Sequence, residues 1–164
     1  MQPHRIEPHS GQESVWDYPR PPRVAPSDRH IQVYFAGELI ADSRRAVRIL
    51  ETSHPPVYYI PVDDVRTEYL SPSPRTTYCE YRGSARYYTV RIGDQVAEEA
   101  ACFCPEPIKP YTSIADHIAF YPGRVSACLL DGEVVTPQPG NFYGGWITSE
   151  IVGPFKGGPG TWGW

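Results

Sequence analysis

Prolines and glycines interrupt this chain so often that long helices have no room, with 19 prolines and 14 glycines among 164 residues. Proline lacks an amide proton and clashes with the preceding helical turn. Glycine loses the most conformational freedom on ordering, so such a chain favours short extended segments joined by tight turns. An apolar share of 40% with 13% aromatics is nevertheless that of a folded protein. The length suits one hydrophobic core. Residues 1–15 are expected to form a flexible tail and residues 16–164 a single mainly β domain with at most short helices.

Charge narrows the possible partners. The formal net charge is −4 with both signs dispersed, so no basic stripe is available to neutralise a run of phosphates, and no nucleic-acid partner is expected. Lys109 and Lys156 are the only lysines among many arginines. Arginine suits bidentate anion recognition, although a GC-rich genome gives the same bias. Met1 to Ser14 has no apolar run, and no stretch approaches the ~18 apolar residues of a spanning helix, so no membrane partner and a cytoplasmic location are expected. In that compartment Cys79, Cys102, Cys104 and Cys128 are expected as free thiols.

Along the chain, Ile31–Phe35 and Leu39–Ala41 flank Ala36-Gly37-Glu38 as a hairpin. Ser43–Glu51 fits either a helical face or an alternating strand, with strand favoured. Val57–Ile60, between Pro55-Pro56 and Pro61, reads as a short edge strand because proline cannot donate to a ladder. Pro61–Val65 fits one helical turn. Thr76–Arg82, Ala85–Ile92 and Gln95–Cys104 form a meander turning at Gly83-Ser84 and Gly93-Asp94. A short helix is predicted within Tyr111–His117, then a strand over Ile118–Tyr121. Val125–Leu130 and Glu133–Val135 flank Asp131-Gly132, the strongest short hairpin signal in the chain.

Several motifs occur in order: Trp16-Asp17-Tyr18-Pro19-Arg20-Pro21-Pro22-Arg23, Leu50-Glu51-Thr52-Ser53-His54-Pro55-Pro56-Val57-Tyr58-Tyr59-Ile60-Pro61, Ala119-Phe120-Tyr121-Pro122-Gly123-Arg124 and Tyr143-Gly144-Gly145-Trp146-Ile147-Thr148. Together they resemble the family catalogued as domain of unknown function 427, from about Trp16 to the C-terminus. The resemblance implies a β-tent-like fold, two antiparallel sheets meeting at an angle, akin to methionine sulfoxide reductase B and the thalidomide-binding domain of cereblon. Relatives of that fold often hold zinc through paired Cys-x-x-Cys motifs, and this chain has none. Cys102, Cys104 and His117 stand where the family commonly has aromatics. The family has also carried a nucleotidyl-transfer label. Such chemistry needs paired carboxylates for divalent metals, and no Asp-x-Asp follows Gly83-Ser84 here.

Three side-chain groups bear on function. Glu51, Ser53 and His54 bring together a carboxylate, a hydroxyl and an imidazole, the makings of an orienter, nucleophile and base. The ordinary alternative is that Ser53 and His54 satisfy backbone groups where strand meets proline turn. Cys79 lies near Arg82, whose charge could lower a thiol pKa, but a cysteine on a strand is more often a small hydrophobe. Cys102-x-Cys104 lacks a second close pair, so no metal site and no cofactor are expected.

The abundant aromatics suit both a β core and a ligand pocket. The favoured expectation is a small-molecule pocket lined by Tyr58, Tyr81, Tyr121 and Trp146, with Arg82, Glu51 and His54 as polar groups. Gly144-Gly145 suggests a backbone brought close to a ligand or another strand. The alternatives are a hydrolase or transferase using Cys79 or Ser53 with His54 as base, and a structural or protein-interaction module. The sequence leaves the ligand's identity and the oligomeric state open.

Overall fold

Short strands rich in β-branched and aromatic residues account for most of the regular structure in the computed structural model, which describes residues 3–164. In chain order they are β1 (Glu13–Ser14), β2 (Arg23–Pro26), β3 (Ile31–Phe35), β4 (Glu38–Ser43), β5 (Val47–Leu50), β6 (Val57–Pro61), β7 (Leu70–Cys79) and β8 (Gly83–Ile92). There follow β9 (Gln95–Phe103), β10 (His117–Phe120), β11 (Ala127–Leu130), β12 (Glu133–Val134), β13 (Thr136–Pro137), β14 (Trp146–Ile147) and β15 (Ile151–Val152). The helical content consists of single 3-10 turns such as Val62–Asp64 and Thr112–Ile114, where the sequence predicts short helices.

A seven-stranded antiparallel sheet runs in the order β2-β5-β6-β10-β9-β8-β7, and a four-stranded one in the order β12-β11-β3-β4. The pairs β1–β15, which is parallel, and β13–β14 complete the pairing. The predicted hairpins at Ala36-Gly37 and Asp131-Gly132 and the β7-β8-β9 meander are present. The chain belongs to the mainly β class, built from several antiparallel sheets.

Strand β6 corrects one expectation. It is not an edge: β5 lies on one side and β10 on the other. Pro55 and Pro56 precede the strand and Pro61 is its last residue, paired with His117, so none of them interrupts the ladder. Proline is instead found in the two true edges of the large sheet, Pro26 in β2 and Pro72 and Pro74 in β7, where the latter two coincide with a break in the pairing with β8. The N-terminal segment is also tied down earlier than expected, since Glu13 pairs with Ile151 and Val15 is fully buried.

The large sheet separates two apolar clusters, and strand alternation decides which residue joins which. One cluster holds Tyr58, Ile60, Val90, Ala101, Ile118, Phe120 and Trp146 together with Ile31, Val33 and Ile40 of the smaller sheet. The other lies on the opposite face and holds Ile49, Tyr59, Tyr87, Cys102, Cys104 and Ala119, with Tyr111 and Ile114 above them. The second face carries the cavity described next.

Candidate functional site

Cross-strand neighbours on this face are small at the centre and large at the sides. Ala119 of β10 stands opposite Cys102 of β9, which stands opposite Tyr87 of β8. Tyr59 of β6 lies on the other flank of Ala119. Small side chains between tyrosines leave a hollow of about 270 Å³, lined among others by Tyr59, Tyr81, Arg82, Tyr87, Tyr121 and His54. Its far side is closed by Gln138, Tyr143, Gly144 and Lys156 from the C-terminal loops.

The tyrosine wall is braced by its neighbours. The Thr77 and Tyr87 hydroxyls share a hydrogen bond of 3.0 Å, Arg75 lies over the Tyr87 ring, and Arg124 lies 4.2 Å from the Tyr121 ring centroid. Burial pushes the phenols of Tyr59 and Tyr121 up, so both are neutral hydroxyl donors.

His54 comes into the cavity from a tight turn. The His54 N–H donates to Glu51 O at 3.0 Å, and Ser53 between them adopts φ 71. Ser53 N–H donates to Val15 O and Ser53 O accepts from Lys156 N–H, so this left-handed conformation is enforced by the surroundings. Ser53 Oγ is buried without a partner and does not line the cavity.

Gln138 fixes the imidazole. Its Oε1 accepts from Gly145 N–H at 3.1 Å, and its Nε2 donates to Lys156 O at 2.8 Å and to His54 Nδ1 at 3.2 Å. The first two bonds decide which way the amide points, and with Nε2 against it Nδ1 has to be the acceptor. The His54 proton therefore sits on Nε2, which faces Glu51 Oε2 at 3.7 Å. That carboxylate is drawn also to Arg20 at 3.4 Å. Burial, with Lys156, Arg20 and Arg82 adding to it, depresses the His54 pKa to about 3. The ring is neutral at physiological pH.

Arg82 sits in the turn between β7 and β8. The hairpin tip is pinned because Ile108 N–H donates to Arg82 O at 3.0 Å and Gly83 leaves no room beyond Ile108 and Glu106. Arg82 Nε is shielded from solvent with no hydrogen-bond partner. Its guanidinium stays charged, as an arginine does at any physiological pH.

Of the residues the sequence proposed, Glu51, His54, Cys79, Tyr81, Arg82 and Tyr121 line this one cavity. Tyr58 and Trp146 do not. They pack together on the opposite side of the sheet, ring centroids 4.9 Å apart, with Trp146 Nε1 donating to Phe120 O. Strand alternation gives the cavity Tyr59 instead of Tyr58, and two adjacent tyrosines carry no sequence signal for which one faces a ligand. Gln138 and Lys156 were missed because nothing near them in sequence marks them. Gly145 bears out the close approach expected of the glycine pair: a Cβ there would lie 2.8 Å from Pro55 Cγ. Among the described residues no three His, Cys, Asp or Glu side chains converge as a metal-ligand group, and His117 lies outside the lining.

These features define a mainly β domain carrying a cavity of small-molecule size on one face of its larger sheet. The chain belongs to the family described as domain of unknown function DUF427, whose sequence profile matches residues 23–131. The loops holding Gln138, Tyr143 and Lys156 lie beyond that span. No curated protein matches the chain. No helix among the described residues is long and apolar enough to cross a membrane.

Proposed function

We propose that this domain binds a small organic molecule in the tyrosine-walled cavity. The observation that carries the reading is the hollow itself: Ala119, Cys102 and Ala85 form a floor that the surrounding tyrosines do not fill, and polar groups converge on it. At about 270 Å³ the hollow lies just under the ~300–1,000 Å³ of typical ligand pockets, which suits a small ligand, and its apolar walls with few polar groups are of the usual kind. The four free cysteines fit a reducing compartment such as the cytoplasm.

Binding is favoured over catalysis by the state of His54. A general base works best with a pKa near the working pH, and a ring held at about 3 is a weak one. Ser53 Oγ is outside the cavity, so a catalytic reading would have to run through Cys79.

A thermal-shift screen of the full chain against a metabolite library tests the proposal, because a ligand for the native state raises the melting temperature. Ala85→Phe, which fills the hollow from a partly exposed lining position, serves as control. Hits are expected for the wild type and lost in the variant. Hits shifting both proteins equally would place binding elsewhere.

A further inference from the structure

Arg82 is the unusual member of the cavity. Its Nε is shielded from solvent without a hydrogen-bond partner, no carboxylate among the described residues pairs with its guanidinium, and local costs of this kind persist where function needs them. The acids on the lining do not relieve it. Glu51 is shared between Arg20 and His54, and Glu80 is an exposed residue with no ion pair among those described. Lys156 and Arg20 add further positive charge around the same space, which is part of why His54 remains neutral.

The donors present suit one kind of anion. A phosphate ester carries close to two charges and three acceptor oxygens, and its sites supply several backbone amides from a helix N-terminus or a nest. This cavity is lined by strands and loops, with one guanidinium, tyrosine hydroxyls and the His54 Nε2–H as donors, while the Lys156 ammonium on its far side is engaged with Trp164 O. A guanidinium matches a carboxylate in charge and planar geometry. The tyrosine walls offer flat apolar surface to a ring, and Tyr78 and Phe142, exposed at the rim, continue that surface outward.

We infer that the cavity takes a planar organic monoanion, an aromatic carboxylate, with the carboxylate on Arg82 and the ring against Tyr59, Tyr87 and Tyr121. This rests on the reading of the cavity as a ligand site. A compound of one or two rings fits the space, with room at the rim for a substituent directed to solvent.

Calorimetric and NMR titration of the full chain with benzoate, 4-hydroxybenzoate and cinnamate, each against its carboxamide, tests the assignment, with phenyl phosphate as a further arm. Each acid is expected to bind at least tenfold more tightly than its amide. Arg82→Gln should abolish that preference, bringing each acid and its amide to within about twofold of one another, because the group that distinguishes them is removed. Equal binding of acids and amides by the wild type, or tighter binding of phenyl phosphate than of benzoate, overturns the anion class while leaving the cavity a ligand site. Failure of acids and amides alike to bind overturns both.

Discussion

Gln138 Nε2 donates to His54 Nδ1 at 3.2 Å, across 84 positions of sequence, and so sets the tautomer of the one imidazole in the cavity. The bond belongs to a buried network in which Gln138 also holds Gly145 and Lys156. Such networks are rigid when every member is satisfied. The C-terminal loops and the turn at Glu51–His54 therefore behave as one unit closing the cavity.

The buried imidazole makes stability depend on pH in a defined window. The His54 pKa falls from 6.5 to about 3 on folding, so below 6.5 the unfolded chain binds a proton that the folded chain refuses. Stability is full above that value and declines by on the order of 1 kcal/mol per pH unit as the pH falls toward 3. His117, also depressed by burial, acts in the same direction. Asp64 beside Arg45 and Asp131 on the His30 amide, both depressed, contribute only as the pH falls through and below the ordinary 3.8. Calorimetry between pH 7 and 4.5 should show a flatter melting profile for His54→Gln than for the wild type. Equal slopes would assign the titration to other groups.

Glycine is required at position 145 by contact, not by dihedral. An added Cβ would meet Gln138 Oε1, Pro55 Cγ and Pro55 O, the last at 2.9 Å. Gly145→Ala is expected to cost about 3 kcal/mol, the upper end of what overpacking typically costs, because backbone as well as side chain would have to shift. Gly37, with φ +80 and open space around it, should cost only about 1 kcal/mol as alanine. Urea denaturation of the two variants measures the difference, and a smaller loss at 145 than at 37 would contradict the packing.

Ser53 gives the opposite result. Its φ of 71 is unfavourable for any residue with a Cβ, and its hydroxyl has no partner to lose. Ser53→Gly should be neutral or up to about 1 kcal/mol more stable, with ligand binding unchanged. Lost binding or a loss of stability would restore a role for the hydroxyl.

The thiols differ in accessibility. Cys102 is pushed up to about 11 by burial, Cys104 and Cys128 are raised by the same cause, and all three are buried, whereas Cys79 is half-buried on the cavity wall. A disulfide reagent at pH 8 should modify one cysteine quickly in the native protein and all four after unfolding. Cys79→Ser should remove the fast phase. An aromatic carboxylate seated in the cavity should slow it.

Local chemistry made much of the architecture readable. Asp131-Gly132 and Gly37 supply the backbone conformations of tight hairpins, and their flanking strands pair as the alternation indicates. The meander from β7 to β9 follows from the same logic. Six cavity residues, Glu51, His54, Cys79, Tyr81, Arg82 and Tyr121, were also legible as polar or aromatic groups near turns and strand ends.

Where those strands lie relative to one another was decided elsewhere. Proline spacing made β6 look like an edge, yet a strand is an edge only if no neighbour pairs with it, and β10, arriving from residues 117–120, supplies that neighbour. The choice between Tyr58 and Tyr59 followed from it, because the same sheet has apolar clusters on both faces and the pattern in β6 is apolar on both sides. The sequence by itself determined short strands, tight turns and a supply of aromatics, all set by interactions within a few residues. Only the tertiary structure decided that Gln138 would lock His54, that Arg82 would be left without a counter-charge and that small residues would meet at the sheet's centre. Those outcomes depend on contacts between distant segments, which local propensity does not encode.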